Sequence, residues 1–494
     1  MKKKIFAAIA AVAALSVGVF AGCNMSQTPY VTSIEKSQTI GLVDHYTVTY
    51  SDGTTSEITV TNGKNGKDGN DAQNVTARDV YDTYKEMYGD GLSFAEFCEK
   101  YLSVEAGDTG NAAVINSCLR SCLKVYTVFH ETSLSGVGWM QSTTVKETSY
   151  CGSAVVYKME EEYTYILTNY HVMYDSSAAT NKGYSNFSEK TWVYLYGSEY
   201  APVQDPDTGE VVLSDYDNYA VACEYVGGSV TYDVALIKAK TADLLKVNPQ
   251  VQPVNMGYSY TVGEKTFAVG NPSDGGISVT EGIVSVDSDN ITLAIDGKSR
   301  SYRSIRTDAA LNHGSSGGGL FNMNGELIGL NHAGKTVSVE TTDGTTDEIP
   351  VVGMNYSIPA SVLTAVSDGI LYYNGADATV KNTYVTRLGV TVRSVDSRYV
   401  YDSATEKGAI FEDVTVEEIT SDGLFSTSGL QIGDIITSMT LNGKTTQITR
   451  QFIMTDVLLA ARAGDSLSFG YTRGGVSGTS PTLTVRPEDI FKVD

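Results

Sequence analysis

Basic residues are scarce in this chain. Lysine and arginine number 35 against 58 aspartates and glutamates, a formal net charge of −23 over 494 residues. A phosphate-binding surface needs a basic patch, and none is present, so nucleic acid is excluded as a partner. Cysteine is scarce too, with six in all, and no two of them stand at the paired spacing of zinc ligands. Setting aside Cys23, five remain (Cys98, Cys118, Cys122, Cys151 and Cys223), an odd number in a chain too large to need a disulfide framework. Cys118 and Cys122, four apart on a predicted helix, fit a shared buried face as well as a bond. The apolar run from Ile5 to Phe20 is short for crossing a bilayer. Histidine is limited to five positions: His45, His130, His171, His313 and His332. Any imidazole chemistry must be chosen from these.

What is present begins with Lys2, Lys3 and Lys4, then the apolar run, then Ala21, Gly22 and Cys23. This is the order of a secretory signal. The FAGC ending resembles a bacterial lipobox, which implies residues 1–22 as signal peptide, lipidation at Cys23 and a mature protein anchored on the outer face of a bacterial cytoplasmic membrane or in the cell envelope. Glycine (48), tyrosine (32) and frequent valine and threonine predict a mainly β protein.

Four further segments follow. Residues 23–62 read as a polar tether and a β-hairpin, YTVTYSDGTTSEITVTNG, turning at Ser51-Asp52-Gly53-Thr54. Residues 63–108 read as a Gly-rich linker, NGKNGKDGND, and two short amphipathic helices, DVYDTYKEMY and SFAEFCEKYL. This front part carries no chemistry and fits a spacer or surface-attachment adaptor. From 112 to 375, short strands alternate with Gly, Asn and Asp turns: GSAVVYK, YTYILTNY, WVYLYG, VALIKA, KTFAVG, GIVSVD, NITLAI and ELIGLNHA. Such a series predicts a sandwich or pair of barrels, closed by a helix over 359–373 with Pro359 near its start. Residues 380–486 form a small separate domain with one helix starting after Thr449 and stopping at Gly464.

Within the β-rich segment lies NHGSSGGGLF, residues 312–321, wedged between two strand-like stretches. Its glycines permit a tight turn in which the Gly314 and Ser316 amides converge on one point, as an oxyanion site requires. A nucleophilic serine there needs a base and an orienting carboxylate. His171 ends the apolar strand ILTNYHVM, and Asp233 begins the apolar strand DVALIKA, where a buried carboxylate would need a partner such as an imidazole N–H. His45 belongs to the hairpin. His130 and His332 lie in strands whose neighbours predict no partner. His313, three residues before Ser316, is a distant second as base because the turn aims the two side chains apart. Asp215 and Asp217 fit turn positions. The order His171, Asp233, Ser316 is that of the chymotrypsin-like class.

The segments ILTNYHV, YDVALIK, AVGNP, VTEGIVS, TDAALNHGSSGGGLFNMNGELIGLNHA and NYSIPA resemble the successive signatures of the HtrA/Deg serine proteases. The resemblance implies a chymotrypsin-like double β-barrel, with His171 as general base, Asp233 as orienting carboxylate, Ser316 as nucleophile and Gly314 and Ser316 as oxyanion donors. The chain departs from the family at Ser315, where Asn or Asp is usual, at His313, commonly Pro, and at Gly319, commonly Pro or Ala. A polar, acidic insertion also lengthens residues 176–218. In this fold the residue six before the nucleophile, Ala310, forms the base of the primary pocket, and without a carboxylate there a small-to-medium apolar residue is preferred over Arg or Lys. VTRLGVTV and SGLQIGDIITSMTLNGK resemble an HtrA-type PDZ domain, a PDZ-like α+β fold in which amides of Arg387, Leu388, Gly389 and Val390 receive a peptide C-terminus. The family further implies unfolded or damaged proteins as substrates, homotrimers, and no metal or organic cofactor. The competing reading is a catalytically silent relative that acts as a chaperone or peptide sensor.

Overall fold

The computed structural model describes residues 31–40, 43–50, 54–61, 109–135, 142–179, 183–199, 203–212, 219–340, 346–374, 383–403 and 407–493. The chain divides into two units, Met1–Glu105 and Ala106–Asp494. The signal segment, Cys23, the Gly-rich linker, Cys98 and both front helices lie outside the described residues, as do Asp215 and Asp217.

In the first unit, strands β1 (Val31–Ile40), β2 (Val43–Tyr50) and β3 (Thr55–Thr61) form one antiparallel sheet in that order. The β2–β3 pair is the expected hairpin, with Thr49 opposite Thr55. Strand β1 corrects the reading of its residues as tether. Its run VTSIEKSQTI has no strict alternation of apolar and polar residues, so its pairing with β2 was not legible.

The second unit opens with helix α1 (Thr109–Leu119). That helix ends before Cys122, which starts a strand, so the two cysteines do not share a helix face; Cys118, Cys122, Cys151 and Cys223 are all free thiols. Strands β4 (Cys122–Ser135), β5 (Ser142–Met159), β6 (Tyr163–Thr168) and β7 (Lys190–Leu195) follow, with the short helix α2 (Tyr170–Met173) between the last two. The insertion after β7 contains a small ladder, β8 (Val203–Gln204) with β9 (Val211–Val212). Strands β10 (Val221–Ser229) and β11 (Val234–Lys240) then complete a closed six-stranded barrel, β10-β11-β6-β5-β4-β7.

After helix α3 (Thr241–Val247) come β12 (Asn255–Met256), β13 (Lys265–Gly270), β14 (Ser278–Ala294), β15 (Ser299–Thr307), β16 (Gly319–Asn322), β17 (Glu326–Glu340) and β18 (Thr346–Pro359). They form one sheet in the order β12-β17-β16-β13-β14-β15-β18, and the additional β17–β18 pairing closes six of them into a second ring. The stretches GIVSVD and NITLAI, read as two strands, are one: β14 runs through both, bent by register shifts between Val284 and Asp289. Bulges let a strand change direction without ending, so the polar run DSDN there is no turn. Helix α4 (Ala360–Asn374) follows Pro359.

Strand periodicity explains the unbroken apolar runs. In β11, Ala235 and Ile237 fill the first barrel with Leu123, Val125, Val156, Ile166 and Val193. The alternate residues Val234 and Leu236 face outward, yet they too are buried, against Phe267, Val269, Phe321 and Leu330 of the second ring. A strand covered on both faces loses polar alternation. Helix α4 adds Val362, Leu363, Val366 and Ile370 to the same seam.

The C-terminal part is α+β. Strands β19 (Tyr384–Thr386), β20 (Val390–Asp402), β21 (Lys407–Ile419), β22 (Ile435–Leu441) and β23 (Lys444–Gln447) precede helix α5 (Gln451–Ala460). After it come β24 (Ser466–Arg473), β25 (Val476–Thr479), β26 (Leu483–Thr484) and β27 (Ile490–Lys492). Its own core gathers Val414, Phe425, Met439, Met454 and Phe469. In the sheet β20-β21-β22-β24-β25, β20 is a terminal strand. This part packs within the same unit as the barrels rather than standing apart. Arg303 on β15 pairs with Asp456 on α5 at 2.5 Å, and Ser361 donates to the same carboxylate at 2.6 Å. Arg450 spans Asp287 of β14 and Glu412 of β21, both at 2.8 Å.

Candidate active site

Strand β6 ends at Thr168, and Asn169 stands at the N-cap position, without a side-chain capping bond, of the single turn of α2 that carries His171. His171 was read at the end of the strand; it sits instead on this turn, three residues beyond β6, with 31 % of its side chain exposed. Asp233 lies just before β11, fully buried, with φ 51°, a left-handed conformation that Asp tolerates better than most residues. Its carboxylate holds His171 twice. Oδ1 accepts the His171 backbone N–H at 3.0 Å, and Oδ2 meets ring Nδ1 at 2.8 Å. Asn169 Nδ2 donates to the Asp233 carbonyl at 3.0 Å, tying the two loops together again.

Burial alone would favour a neutral acid at Asp233, but the two imidazoles beside it hold its carboxyl below the ordinary carboxylate range. For His171, burial disfavours the cation, and the Asp233 charge and hydrogen bond outweigh it, raising the imidazole above its ordinary 6.5. The pair is therefore an imidazole made more basic by the carboxylate beside it, with Nδ1 donating and Nε2 free of that contact.

Ser316 comes from the other barrel. Ser315, Gly317 and Gly318 N–H groups bond the carbonyls of Asn312, Asn331 and Ser315, while neither the Gly314 nor the Ser316 N–H has an acceptor among the described residues. The His313 carbonyl accepts from Ser273 N at 2.6 Å, so it is engaged by the loop after β13. Ser153 fastens the turn to the first barrel: its N–H bonds Ser316 O at 2.8 Å, and its Oγ donates to Gly314 O at 2.7 Å while accepting from Asn271 N at 2.8 Å. Gly314 has φ +93°, and a Cβ there would collide with the Asn271 carbonyl oxygen; at Gly317 (φ +86°) it would collide with that of Ser153. Only glycine fits either position. The Ser316 hydroxyl donates to the His332 carbonyl at 3.4 Å.

His171 and Ser316 line one cleft together with Leu293, Ile295, Leu311 and Val351. No carboxylate lines it among the described residues. Ala310 is not part of this lining; it is exposed, and its carbonyl accepts from Thr280 Oγ1 at 2.9 Å. The Ala310 carbonyl is turned to β14, and Leu311, next in the chain, is the residue that lines the cleft. Ser315 is buried, whereas His313 is exposed at the cleft rim.

Two histidines read as partnerless are not. His130 stacks on Tyr184 at 3.7 Å between ring centroids, with Glu147 and Glu189 near its nitrogens. His332 is fully buried, and its Nδ1 lies 2.7 Å from Asp233 Oδ2. Ninety-nine positions separate those two residues, and nothing local to GLNHA signals the contact. Ser153 and Asn271 were missed likewise.

In the C-terminal part, Gly389 has φ +74° and Leu388 is buried. The Arg387 N–H bonds Asp489 O, and its guanidinium lies over the Phe491 ring. The carbonyls of Leu388 and Gly389 accept from Phe425 and Thr420, while the N–H groups of Leu388 and Gly389 have no acceptor among the described residues. Beside this loop the terminal strand β20 presents the Val392 carbonyl, which accepts from Gln451 Nε2 at 3.1 Å.

The model of the trypsin-like peptidase domain matches residues 152–330, the span that carries His171, Asp233 and Ser316. Among curated proteins, the serine protease Do-like HtrA of Lactococcus lactis subsp. lactis (strain IL1403) is 27% identical over 350 residues, 69% of this chain and 72% of that protein. The chain carries a trypsin-like peptidase domain and is similar to serine proteases of the HtrA type. Other HtrA relatives are the probable periplasmic serine endoprotease DegP-like of Pseudomonas fulva (strain 12-X), 32% identical over 48% of this chain and 43% of its own length, and the serine endoprotease DegS of Escherichia coli (strain K12), 28% identical over 47% and 59%. A solved HtrA-type protease, AlgW with decapeptide, aligns with 76% of this chain and 98% of its own at 21% identity and a TM-score of 0.42.

The geometry of the Gly314 turn makes a direct prediction. Gly314→Ala, driven against the Asn271 carbonyl, should lower Tm and lower kcat by about 100-fold, the size of loss expected for one oxyanion donor, while the circular dichroism stays that of a folded protein. Parent-like turnover would show that the turn tolerates a Cβ and is not held as described.

Proposed function

We propose that this chain is an HtrA-family serine endopeptidase that works through Ser316, His171 and Asp233. Ser316 Oγ attacks the scissile carbonyl, His171 Nε2 takes its proton and returns it to the leaving amine, and water then hydrolyses the acyl-enzyme. Asp233 orients the ring and stabilises the imidazolium. The Gly314 and Ser316 N–H groups receive the oxyanion. The observation that carries this reading is the buried Asp233 carboxylate holding His171 by backbone and ring at once, at a cleft shared with Ser316. In the form described, the Ser316 hydroxyl rests on the His332 carbonyl, so attack requires it to turn about χ1 toward the imidazole. A lining that holds Lys335 and, among the described residues, no carboxylate disfavours Arg or Lys and supports a small-to-medium apolar residue before the scissile bond, presented by an extended, unfolded chain.

Two further assignments belong to the same reading. The loop Arg387–Val390 receives a peptide C-terminus, its carboxylate on the Leu388 and Gly389 amides and its backbone added to β20. Arg387 frames the loop rather than donating, because its N–H is already engaged by the Asp489 carbonyl. The protein is exported and tethered to the cell envelope through a lipid on Cys23, in keeping with the periplasmic relative.

Fluorophosphonate should label Ser316, as mapped by mass; the adduct should vanish in Ser316→Ala and persist in Ser315→Ala. Loss in both, or in neither, would remove Ser316 from the role. Because His171 acts only when neutral and its ionisation is raised, kcat/KM should fall with acid in a limb centred above 6.5. Asp233→Asn should shift that limb downward and cost about 10⁴ in kcat.

Calorimetric titration with a short apolar-ended peptide should give binding that is lost on amidation of its C-terminus and in Gly389→Val; equal binding of acid and amide would rule out carboxylate capture. Expressed with its own leader, the protein should sediment with membranes, and Cys23→Ser should move it to the soluble fraction. Retention of that variant in the membranes would discard the lipid anchor.

A further inference from the structure

Asp233 Oδ2 has two imidazole neighbours. His171 Nδ1 stands 2.8 Å from it and His332 Nδ1 stands 2.7 Å from it, while Oδ1 takes the His171 backbone N–H. His332 belongs to β17, in the second ring, whereas both of the other residues belong to the first barrel. Its side chain is fully buried, and its Nε2 has no hydrogen-bond partner among the described residues. The ring stands edge-on to Tyr302 of β15, 5.3 Å between centroids, and the Tyr302 hydroxyl is committed to the Val230 carbonyl.

These contacts fix the tautomer. A carboxylate only accepts, so the nitrogen facing Asp233 must carry the proton. A second proton on Nε2 would place a buried cation with no acceptor there, and it would draw on the one negative charge that must also serve His171 when that ring becomes cationic. The titratable groups meeting the ring are Asp233 from the turn before β11, His171 from α2 through that carboxylate, and Tyr302 from β15. Arg300 on β15 is engaged by Asp296 and Thr231 instead.

We propose that His332 is a positioning residue for the peptidase reaction, donating its Nδ1–H to Asp233 so that a neutral second imidazole aims the carboxylate that orients His171. It handles none of the protons in flight: the Ser316 proton passes to His171 Nε2 and on to the leaving amine. Its contribution is twofold. A donor from the second ring fixes the carboxylate across the seam between barrels, and it draws off part of the negative charge that would otherwise make His171 more basic. This inference rests on the assignment of Ser316, His171 and Asp233 given above.

The test compares His332→Leu, which removes the donor, with His332→Asn, whose amide nitrogen takes the place of Nδ1. In His332→Leu, kcat should fall by about tenfold to a hundredfold with KM within about twofold, and the acid limb of kcat/KM should move to higher pH. His332→Asn should recover most of kcat and bring the limb back toward that of the parent. Loss of kcat with an unmoved or lowered limb, or no recovery in His332→Asn, would reduce His332 to a packing residue and overturn the proposal, as would a parent-like His332→Leu. Should His332→Leu fail to fold, two measurements still decide. One is the limb and kcat of His332→Asn. The other is ¹⁵N-histidine NMR of the otherwise intact Ser316→Ala protein, where His332 must show a protonated Nδ1 and a bare Nε2; the opposite tautomer overturns the proposal. If Ser316→Ala itself keeps turnover, the underlying assignment fails instead, which separates the two.

Discussion

Everything at this site turns on one buried carboxylate. Asp233 is taken wholly out of water, which is unfavourable for a charge unless several donors meet it. Here three do: the His171 backbone, the His171 ring and the His332 ring. Because those donors come from both barrels, the same interactions that make the charge tolerable also fix how the barrels present their loops to each other. The seam beneath is apolar and closely filled, with Val234 and Leu236 packed on Phe267, Phe321 and Leu330. Rigid packing of that kind holds a few polar atoms within the tenths of an ångström that proton transfer between side chains demands.

The serine turn obeys a different constraint. It has few side chains to pack, so its shape is set by backbone. Gly314 and Gly317 adopt conformations and close approaches that a Cβ forbids, and the Ser153 hydroxyl sits between the Asn271 N–H and the Gly314 carbonyl. With neighbouring amides and carbonyls engaged, the N–H groups of Gly314 and Ser316 have no acceptor among the described residues. For the proposed reaction a turn so tied matters, because oriented dipoles are effective when they need no reorganisation.

Legibility in the sequence followed the range of the interactions. The glycine-serine turn is local, so its residues spell its conformation, and His171 and Asp233 could be chosen because each adjoins a strand too apolar to be anything but buried. The double barrel was legible for the same reason: VALIKA and ILT are strands covered on both faces. His332 was passed over because its partner lies on another barrel, and a single imidazole in GLNHA looks the same whether it is satisfied or not. Asp287, Ser288, Asp289 and Asn290 imitate a turn but occupy a bulged strand, which only cross-strand pairing with β15 could reveal. Which residue of the Ala310-Leu311 pair lines the cleft depends on the path of that loop, which position relative to the serine does not specify.

The β14–β15 hairpin joins these themes. Near its tip, Leu293 and Ile295 line the cleft beside His171 and Ser316. Farther down, Asp287 and Arg303 take Arg450 and Asp456 from the C-terminal part, in ion pairs whose side chains are all no more than a quarter exposed. Pairs so shielded from solvent are screened less by salt than surface pairs and leave a costly unpaired charge when one partner is removed. Helix α5 therefore cannot shift on the barrels by sliding over an oily surface; it must break defined bonds to the same two strands that shape the substrate cleft. Gln451, the first residue of that helix, in turn occupies an edge carbonyl of β20 at Val392. From β20 to the cleft the chain of contact runs through one helix and one hairpin, each held by short polar contacts, so the C-terminal part and the peptidase cleft share structural elements and are not merely neighbours.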